Sequence, residues 1–188
     1  MLIETLVLVL VVGYLKGGKF INLGQLDLRG VWLIPFAFII QMAVYWSAVK
    51  GFRLGPGWVS PVLHTLSYLL LLVMAVLNLS QPGMKLLALG IALNGLVIAV
   101  NSGLMPVDPT FLPAASRLAL QPGEGTHQLL TGATRLSFLA DRFFLYIPAL
   151  GQQLFSAGDI FIDIGSFMLV FGVMTGPRAY RIRSVHRH

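Results

Sequence analysis

Five long apolar runs dominate the chain, separated by segments that contain glycine, proline or charged residues. They cover residues 2–16, 31–49, 60–79, 85–102 and 159–176. A helix needs about 20 mostly apolar residues to cross the hydrocarbon core, or somewhat fewer where flanking lysines and arginines reach the headgroups. The runs therefore predict about five transmembrane helices, of which the first is the shortest.

The composition agrees with this pattern. The 188 residues are 56% hydrophobic and 11% charged, whereas about a quarter of the residues in an average soluble domain are charged. The first run begins with an acid and lacks a basic n-region, so we expect a retained helix rather than a signal peptide. The chain has no cysteine, which excludes disulfides and thiolate metal ligands. We expect an all-α polytopic membrane helix bundle, with a single domain over residues 1–177.

The basic residues indicate an orientation. The tail after the last run, residues 178–188, contains Arg178, Arg181, Arg183 and Arg187. With five crossings, the same side of the membrane would hold Lys16, Lys19, Arg29 and Lys85, and the other side would hold Lys50 and Arg53. Because cytoplasmic flanks are enriched in lysine and arginine, we predict an inner-membrane protein with its amino terminus outside and a cytoplasmic tail. This placement beside the spans favours lipid rather than nucleic acid as the partner of the net charge of +6.

The segment between the fourth and fifth spans, residues 103–158, is too long for a simple connection. It mixes large apolar side chains with Arg135, Asp141 and Arg142, so it is too polar to cross a membrane and too apolar to stay in water. Asp108 before Pro109 is typical of a helix start. We expect this segment, called the cap below, to form an interfacial or re-entrant structure over the outer ends of the helices.

Each predicted span carries one stripe of small or polar residues at helical spacing, with large apolar residues on its other faces. The stripes contain Gln41 and Tyr45, then His64, Ser67, Tyr68 and Asn78, then Gly90, Asn94 and Asn101, and finally Gly158, Gly165 and Gly172. Small residues let membrane helices approach closely, and polar side chains hydrogen-bond between them. Helix packing is therefore the first explanation for the glycines, the asparagines and Gln41.

Two carboxylates, Asp159 and Asp163, lie one helical turn apart at the start of the fifth span. Asp159 can cap the free N–H groups of a helix start, but Asp163 lies one turn deeper, where intramembrane acids are candidates for functional sites. Alternating helix directions bring further polar residues to the same end. We predict a ligand or partner pocket there, formed by Tyr45, His64, Asn101, Arg135, Asp141, Arg142, Asp159 and Asp163. An ion pair that joins one of the two acids to Arg135 or Arg142 explains the same pattern equally well.

The second half of the chain resembles a family of small bacterial five-helix membrane proteins of unknown function. The resemblance lies in LNGLVIAVNSGLMPV, TRLSFLADRF and FSAGDIFIDIG, through Asn94, Asn101, Gly103, Met105, Pro106, Leu139, Asp141, Ser156, Gly158 and Asp159. It implies the architecture of the protein and no activity. The family pattern gives no support to a role for Arg142.

The candidate chemistry leaves several functions open. His127, Asp141 and Ser156 form no recognised catalytic motif. Asp159 and Asp163 could bind a divalent cation with His64 or His127, but they lack the Glu-x-x-His or His-x-x-x-His spacing typical of a metal site. No catalytic residue, metal ligand or cofactor is therefore predicted, and whether His64 ligates a haem or a pigment stays open.

We favour a non-catalytic membrane subunit, scaffold or small-ligand binder, whose partners are the lipid bilayer and either other membrane subunits or a small lipid-like ligand. One alternative is a membrane enzyme that acts on a lipid-linked substrate at the outer interface, with Asp159 and Asp163 as acid and base. The other is an ion or proton pathway through Asp163.

Overall fold

The computed structural model describes residues 2–112, 126–147 and 151–176, apart from the side chains of Phe111, Ile147 and Gln152. The described residues form helices α1 (Leu2–Leu15), α2 (Leu33–Lys50), α3 (Val59–Leu77), α4 (Met84–Val100) and α5 (Ala157–Thr175). Each helix begins and ends within two residues of a predicted span. The predicted basic tail, residues 178–188, lies outside the described residues.

Three helices, α2, α3 and α5, are long enough and apolar enough to cross a membrane, and α1 and α4 are shorter apolar helices. Large apolar side chains cover much of their outer surface, including Val7 and Val11 of α1, Phe36 and Ile39 of α2 and Leu69 of α3. Extended apolar surface of this kind marks a membrane or protein contact. The prediction of apolar, membrane-compatible helices is thus confirmed at this coarse level.

The helices pack as a row in the order α1, α5, α4, α3, α2. Neighbouring helices α5 and α4 are antiparallel, because Gly158 lies beside Gly90 and Gly165 lies beside Gly83. Helix α1 runs parallel to α5, because Thr5 lies beside Asp163 and Gly13 lies beside Met174. In this row the polar or small-residue stripe of a helix mainly faces the helices next to it.

The interface between α4 and α5 depends on glycine. A Cβ at Gly90 would overlap the carbonyl oxygen of Gly158, and a Cβ at Gly165 would press on the backbone of Gly83 and Leu87. The two backbones are therefore in direct contact, as small residues permit in membrane helix pairs. A core of Met84, Leu87, Ala88, Ile91, Leu169 and Ala75 extends this contact to α3.

The cap contains short strands, which corrects the prediction of an all-α chain. Strand β1 (Met105–Val107) pairs in parallel with β2 (His127–Leu129), and β3 (Phe143–Ile147) pairs antiparallel with β4 (Gly151–Phe155). The sequence FFLYI of β3 consists of aromatic and β-branched residues with one leucine, which suit a pleated, half-buried surface. Asp108 does cap a helix start by accepting from Thr110 N, but the helix is a 3-10 turn of three residues. A second core of Val97, Ile98, Met105 and Leu139 joins the cap to α4.

Candidate functional site

Most buried polar side chains in the described residues lie toward the end of the helices that carries the cap. We call this end of the row, where α4 ends and α5 begins, the cap end, and the opposite end, where α1 and α5 end, the basic end. The buried polar side chains at or near the cap end are Ser47, His64, Ser67, Asn94, Asn101, Asp141, Ser156 and Asp163.

Asp159 belongs to a capping box at the start of α5. Its Oδ2 accepts from the backbone N–H of Ser156 at 2.9 Å, and the Ser156 hydroxyl accepts from the N–H of Asp159 at 3.0 Å. Its Oδ1 accepts from Asn94 Nδ2 at 2.8 Å, and the Asn94 side chain is almost fully buried. The first two bonds pair backbone N–H groups at the start of α5 that would otherwise be free, and the third joins α5 to α4. Asp159 therefore has a structural role.

Asn101 holds the cap through one residue, Arg135. Its Nδ2 donates to the carbonyl of Arg135 at 2.8 Å and to the carbonyl of Val97, while its Oδ1 accepts from the Arg135 N–H at 2.9 Å. Both backbone polar groups of Arg135 are therefore fixed, and its side chain is exposed. A cavity of about 330 Å³ opens at this point, and its lining includes Asn101, Ser102, Gln128, Thr131, Thr134 and Arg135.

His64 is buried at the start of α3 and contacts the cap directly. Its Nδ1 lies 2.6 Å from the carbonyl oxygen of Gly103, and because a carbonyl can only accept, Nδ1 donates and Nε2 is the acceptor of the neutral ring. The ring of Tyr68 meets His64 edge to face at 5.6 Å. Tyr68 also lies close enough to Asp141 and Asp159 to interact with them electrostatically.

A histidine and a carboxyl group face each other inside the cap. His127 Nε2 lies 3.7 Å from Asp141 Oδ2, and Asp141 Oδ1 is buried with no hydrogen-bond partner among the described residues. Burial, with a smaller contribution from the charge of Asp159, raises the pKa of Asp141 to about 8. Packing within the cap lowers the pKa of His127; 44% of its side chain stays exposed, so water screens this effect. The pair can hold a proton at neutral pH.

Asp163 faces α1. It is 7% exposed, and the side chains near it are Thr5, within hydrogen-bonding reach, and the carboxyls of Glu4 and Asp159. Its Oδ2 has no hydrogen-bond partner in the part of the chain that the structure describes. Within that part, no ion pair joins either Asp159 or Asp163 to Arg135 or Arg142.

Two further predicted site residues lie away from this cluster. Tyr45 is half exposed on α2, where it packs edge to face on Trp46. The exposed side chain of Arg142 lies near Asp108, and hydrogen bonds from Thr110, with a smaller contribution from Arg142, lower the pKa of Asp108. The structure thus brings His64, Asn101, Arg135, Asp141 and Asp159 together at the cap end and sets Asp163 against α1.

The structure adds residues that the predicted site did not include. Asn94, Ser156, Tyr68 and His127 contact or surround the predicted residues. Ser156 and Asp159 have the spacing of a capping box, so this contact was visible in the sequence. The approach of His127 to Asp141 was not, because it depends on the pairing of β2 with β1 across a long stretch of chain. The described residues contain no group of three or more His, Asp or Glu side chains arranged to hold a metal ion.

Comparisons with known proteins give a family and no activity. An uncharacterised protein of Thermotoga maritima is 28% identical over 169 residues, which cover 89% of each chain. No solved structure matches the chain. Residues 25–171 match the family of unknown function DUF5317, which confirms the resemblance to an uncharacterised family, and the chain belongs to this family.

Proposed function

We propose that all five apolar helices cross the membrane and that the protein is a non-catalytic binder of a small anionic ligand at the outer, cap end. Support for the crossings comes from the exposed apolar surface of the helices and from their directions, since α5 is antiparallel to α4 and parallel to α1, as alternate crossings along the chain require. Helices α1 and α4 are short for a span of about 20 residues. The lysines Lys16 and Lys85 at their basic ends can extend toward the headgroups.

The single observation behind the ligand is the position of Arg135. A guanidinium group gains most from an anion when its attachment to the protein is already fixed, because less conformational entropy is then lost. Asn101 fixes both backbone polar groups of Arg135, and the cavity beside it has otherwise neutral, mostly polar lining residues. A guanidinium group pairs with planar or multi-oxygen anions, so the ligand would carry a carboxylate or a phosphate.

The proposal is tested by measuring what the protein retains from native membranes. Small molecules that co-purify with the natural protein and with Arg135→Gln are compared by mass spectrometry. We expect the natural protein to retain an anionic small molecule. The variant should retain at least about tenfold less of it, since a charged hydrogen bond contributes about 1.5 to 3 kcal/mol.

Arg53→Gln is the matched control, because Arg53 is an exposed arginine at the same end and does not line the cavity. Equal retention by the natural protein and Arg135→Gln, or equal loss in both variants, would contradict a ligand held by Arg135. A retained molecule that is chemically changed during incubation would contradict the non-catalytic role and favour the enzyme.

A proton pathway is the second candidate, and one arrangement favours it. Asp159 lies close enough to act electrostatically on both Asp141 and Asp163, and these two carboxyls each have an oxygen without a hydrogen-bond partner in the described chain. Proton flux into liposomes tests this candidate. Flux that is lost in Asp163→Asn and kept in Arg135→Gln would replace the binder as the proposed function.

A further inference from the structure

The basic end carries a second cavity, formed where the chain leaves α1 and where α5 finishes. Its volume is about 430 Å³. The residues that line it are Gly17, Lys19, Ile21, Asn22, Gln25, Met174, Thr175 and Gly176. No contact described for the cap end reaches this cavity, so it needs a separate explanation.

Two hydrogen bonds fix the walls of this cavity relative to each other. Asn22 is almost fully buried, and its Nδ2 donates to the carbonyl oxygen of Met174 at 2.8 Å. The backbone N–H of Lys19 donates to the same oxygen at 3.1 Å. The carbonyl groups at the carboxyl end of a helix repel anions, and these two donors satisfy the carbonyl of Met174, a residue that lines the cavity. The Lys19 side chain stays exposed at the rim.

The charges of the described residues are divided unequally between the two ends. The basic end has four cations, Lys16, Lys19, Arg29 and Lys85, and one acid, Asp27, whereas the cap end has four cations, Lys50, Arg53, Arg135 and Arg142, and five acids. The cap end holds the remaining described acids, which are Glu4, Asp108, Asp141, Asp159 and Asp163. In sequence, Gly176 of the cavity lining is followed by a segment with four arginines, Arg178, Arg181, Arg183 and Arg187. An anion is therefore attracted to the basic end and to this cavity.

Apolar side chains beside the cavity indicate that the anion has an apolar part. Ile21 lines the cavity and is 72% exposed. Phe20 is half exposed and stacks on Tyr14 of α1 at 5.6 Å. Aromatic and apolar groups next to lysine are typical of the boundary between headgroups and acyl chains.

We propose that this cavity binds the phosphate headgroup of an anionic phospholipid, with Lys19 as the cation and Ile21 and Phe20 against the acyl chains. The proposal rests on the membrane crossings proposed above and not on the ligand at the cap end. The lipid would come from the leaflet that faces the basic end, and anionic headgroups of that leaflet attract basic segments.

Native mass spectrometry of the detergent-purified full chain tests this proposal. The probes are dioctanoyl phosphatidylglycerol and dioctanoyl phosphatidylcholine, which have the same acyl chains and different headgroup charge. We expect the natural protein to retain the anionic lipid in preference to the zwitterionic one. Lys19→Gln should weaken retention of the anionic lipid about fivefold, which is the effect of one lysine near an anionic surface. The substitution keeps the backbone N–H that bonds to Met174, so helical circular dichroism should not change.

Lys85→Gln is the matched control, because Lys85 is an exposed lysine at the same end that does not line the cavity. It should retain the anionic lipid like the natural protein. Equal weakening in both variants, equal retention in all three proteins or equal binding of the two lipids would overturn the proposal. Inorganic phosphate is the third probe, and its displacement of the lipid at the same concentration would assign the cavity to free phosphate instead. None of these results depends on Arg135, so a failure here is distinct from a failure at the cap end.

Discussion

At the scale of single residues, the same side chain performs the same task at both ends of the molecule. Asn78 follows α3 and Asn101 follows α4. Each donates to the carbonyl four residues earlier and also bonds both the N–H and the C=O of one loop residue, Arg29 or Arg135. This geometry needs one donor and one acceptor on a short, uncharged side chain, which asparagine supplies. The two asparagines hold loops onto helix ends.

Replacing Asn101 with aspartate should destabilise the protein. The change puts a carboxylate oxygen where Nδ2 now donates to the carbonyls of Val97 and Arg135, and leaving such buried groups unsatisfied costs about 1 to 3 kcal/mol. We expect a lower midpoint of thermal unfolding in detergent. Ser102→Asp is the control, because it adds the same charge at an exposed neighbouring residue whose left-handed φ of 57° aspartate tolerates. Equal midpoints for the two variants would contradict the role of Asn101.

Asp141 should make stability depend on pH. Its folded-state pKa of about 8 lies above the value of 3.8 for the free side chain, so the unfolded chain releases this proton first. The folded state therefore loses stability as pH rises from about 4 to about 8, by at most about 1.4 kcal/mol per pH unit. Between pH 4 and 6.5 the lowered pKa of His127 opposes this trend, so the fall should be clearest from pH 6.5 to 8.

Asp141→Asn should remove this part of the pH dependence, because asparagine stays neutral at every pH in the range. Unfolding midpoints in detergent, measured at intervals from pH 6.5 to 8 for the variant and the natural protein, provide the comparison. Asp27→Asn, at an exposed position of the basic end, is the control. Parallel pH profiles for Asp141→Asn and the natural protein would show that Asp141 is already ionised at neutral pH.

At the scale of elements, the periodicity of apolar residues located the helices, because each helix depends mainly on its own sequence. The contacts of the polar stripes were harder to predict. Converging stripes would place Asp163 beside His64 and Tyr45, but in the row α5 stands between α1 and α4, so Asp163 on one side of α5 faces Thr5. Strands β1 and β2 depend on each other across a long separation, and a local pattern contains no information about such a partner.

The contact between α4 and α5 should not tolerate even a methyl group. Gly90→Ala places a Cβ against the carbonyl oxygen of Gly158, and overpacking of this kind costs about 1 to 3 kcal/mol. Gly95→Ala on the same helix is the control, since its Cβ would meet the side chain of Tyr68, with the nearest atom at 3.3 Å, and no backbone atom closer than that. We expect a clear drop in the unfolding midpoint for Gly90→Ala and a smaller change for Gly95→Ala. The reverse order would contradict the packing of these helices.

At the scale of the whole molecule, the two ends differ in charge and in structure. The cap end has strands and most of the acids of the described chain, whereas the basic end has four cations and short turns. Each end has four described lysines and arginines, and in sequence the basic end is followed by four more, Arg178, Arg181, Arg183 and Arg187. If the helices cross the bilayer as proposed, this excess of basic residues places the basic end in the cytoplasm by the positive-inside rule.

Single cysteines can test this orientation, because the natural chain has none and gives no background. Thr131→Cys lies at an exposed position of the cap end, and Gly24→Cys lies at an exposed position of the basic end. A membrane-impermeant maleimide added to intact cells should label Thr131→Cys alone, and Gly24→Cys should react only after the membranes are opened. The opposite labelling would invert the orientation, and labelling of both from one side would contradict the three crossings, α2, α3 and α4, proposed between the two positions.

The position of α1 at the edge of the row has a consequence for biosynthesis. Its main partner is α5, the last helix along the described chain, so if the helices cross the bilayer as proposed, α1 is synthesised before α5 and lacks this partner until α2, α3, α4 and α5 have followed. Contacts between segments so distant in sequence form late and slowly. Until then the surface of α1 that will meet Asp163 and Met174 stays open to lipid or to chaperones. A chain released before residue 157 would lack the partner of its first helix.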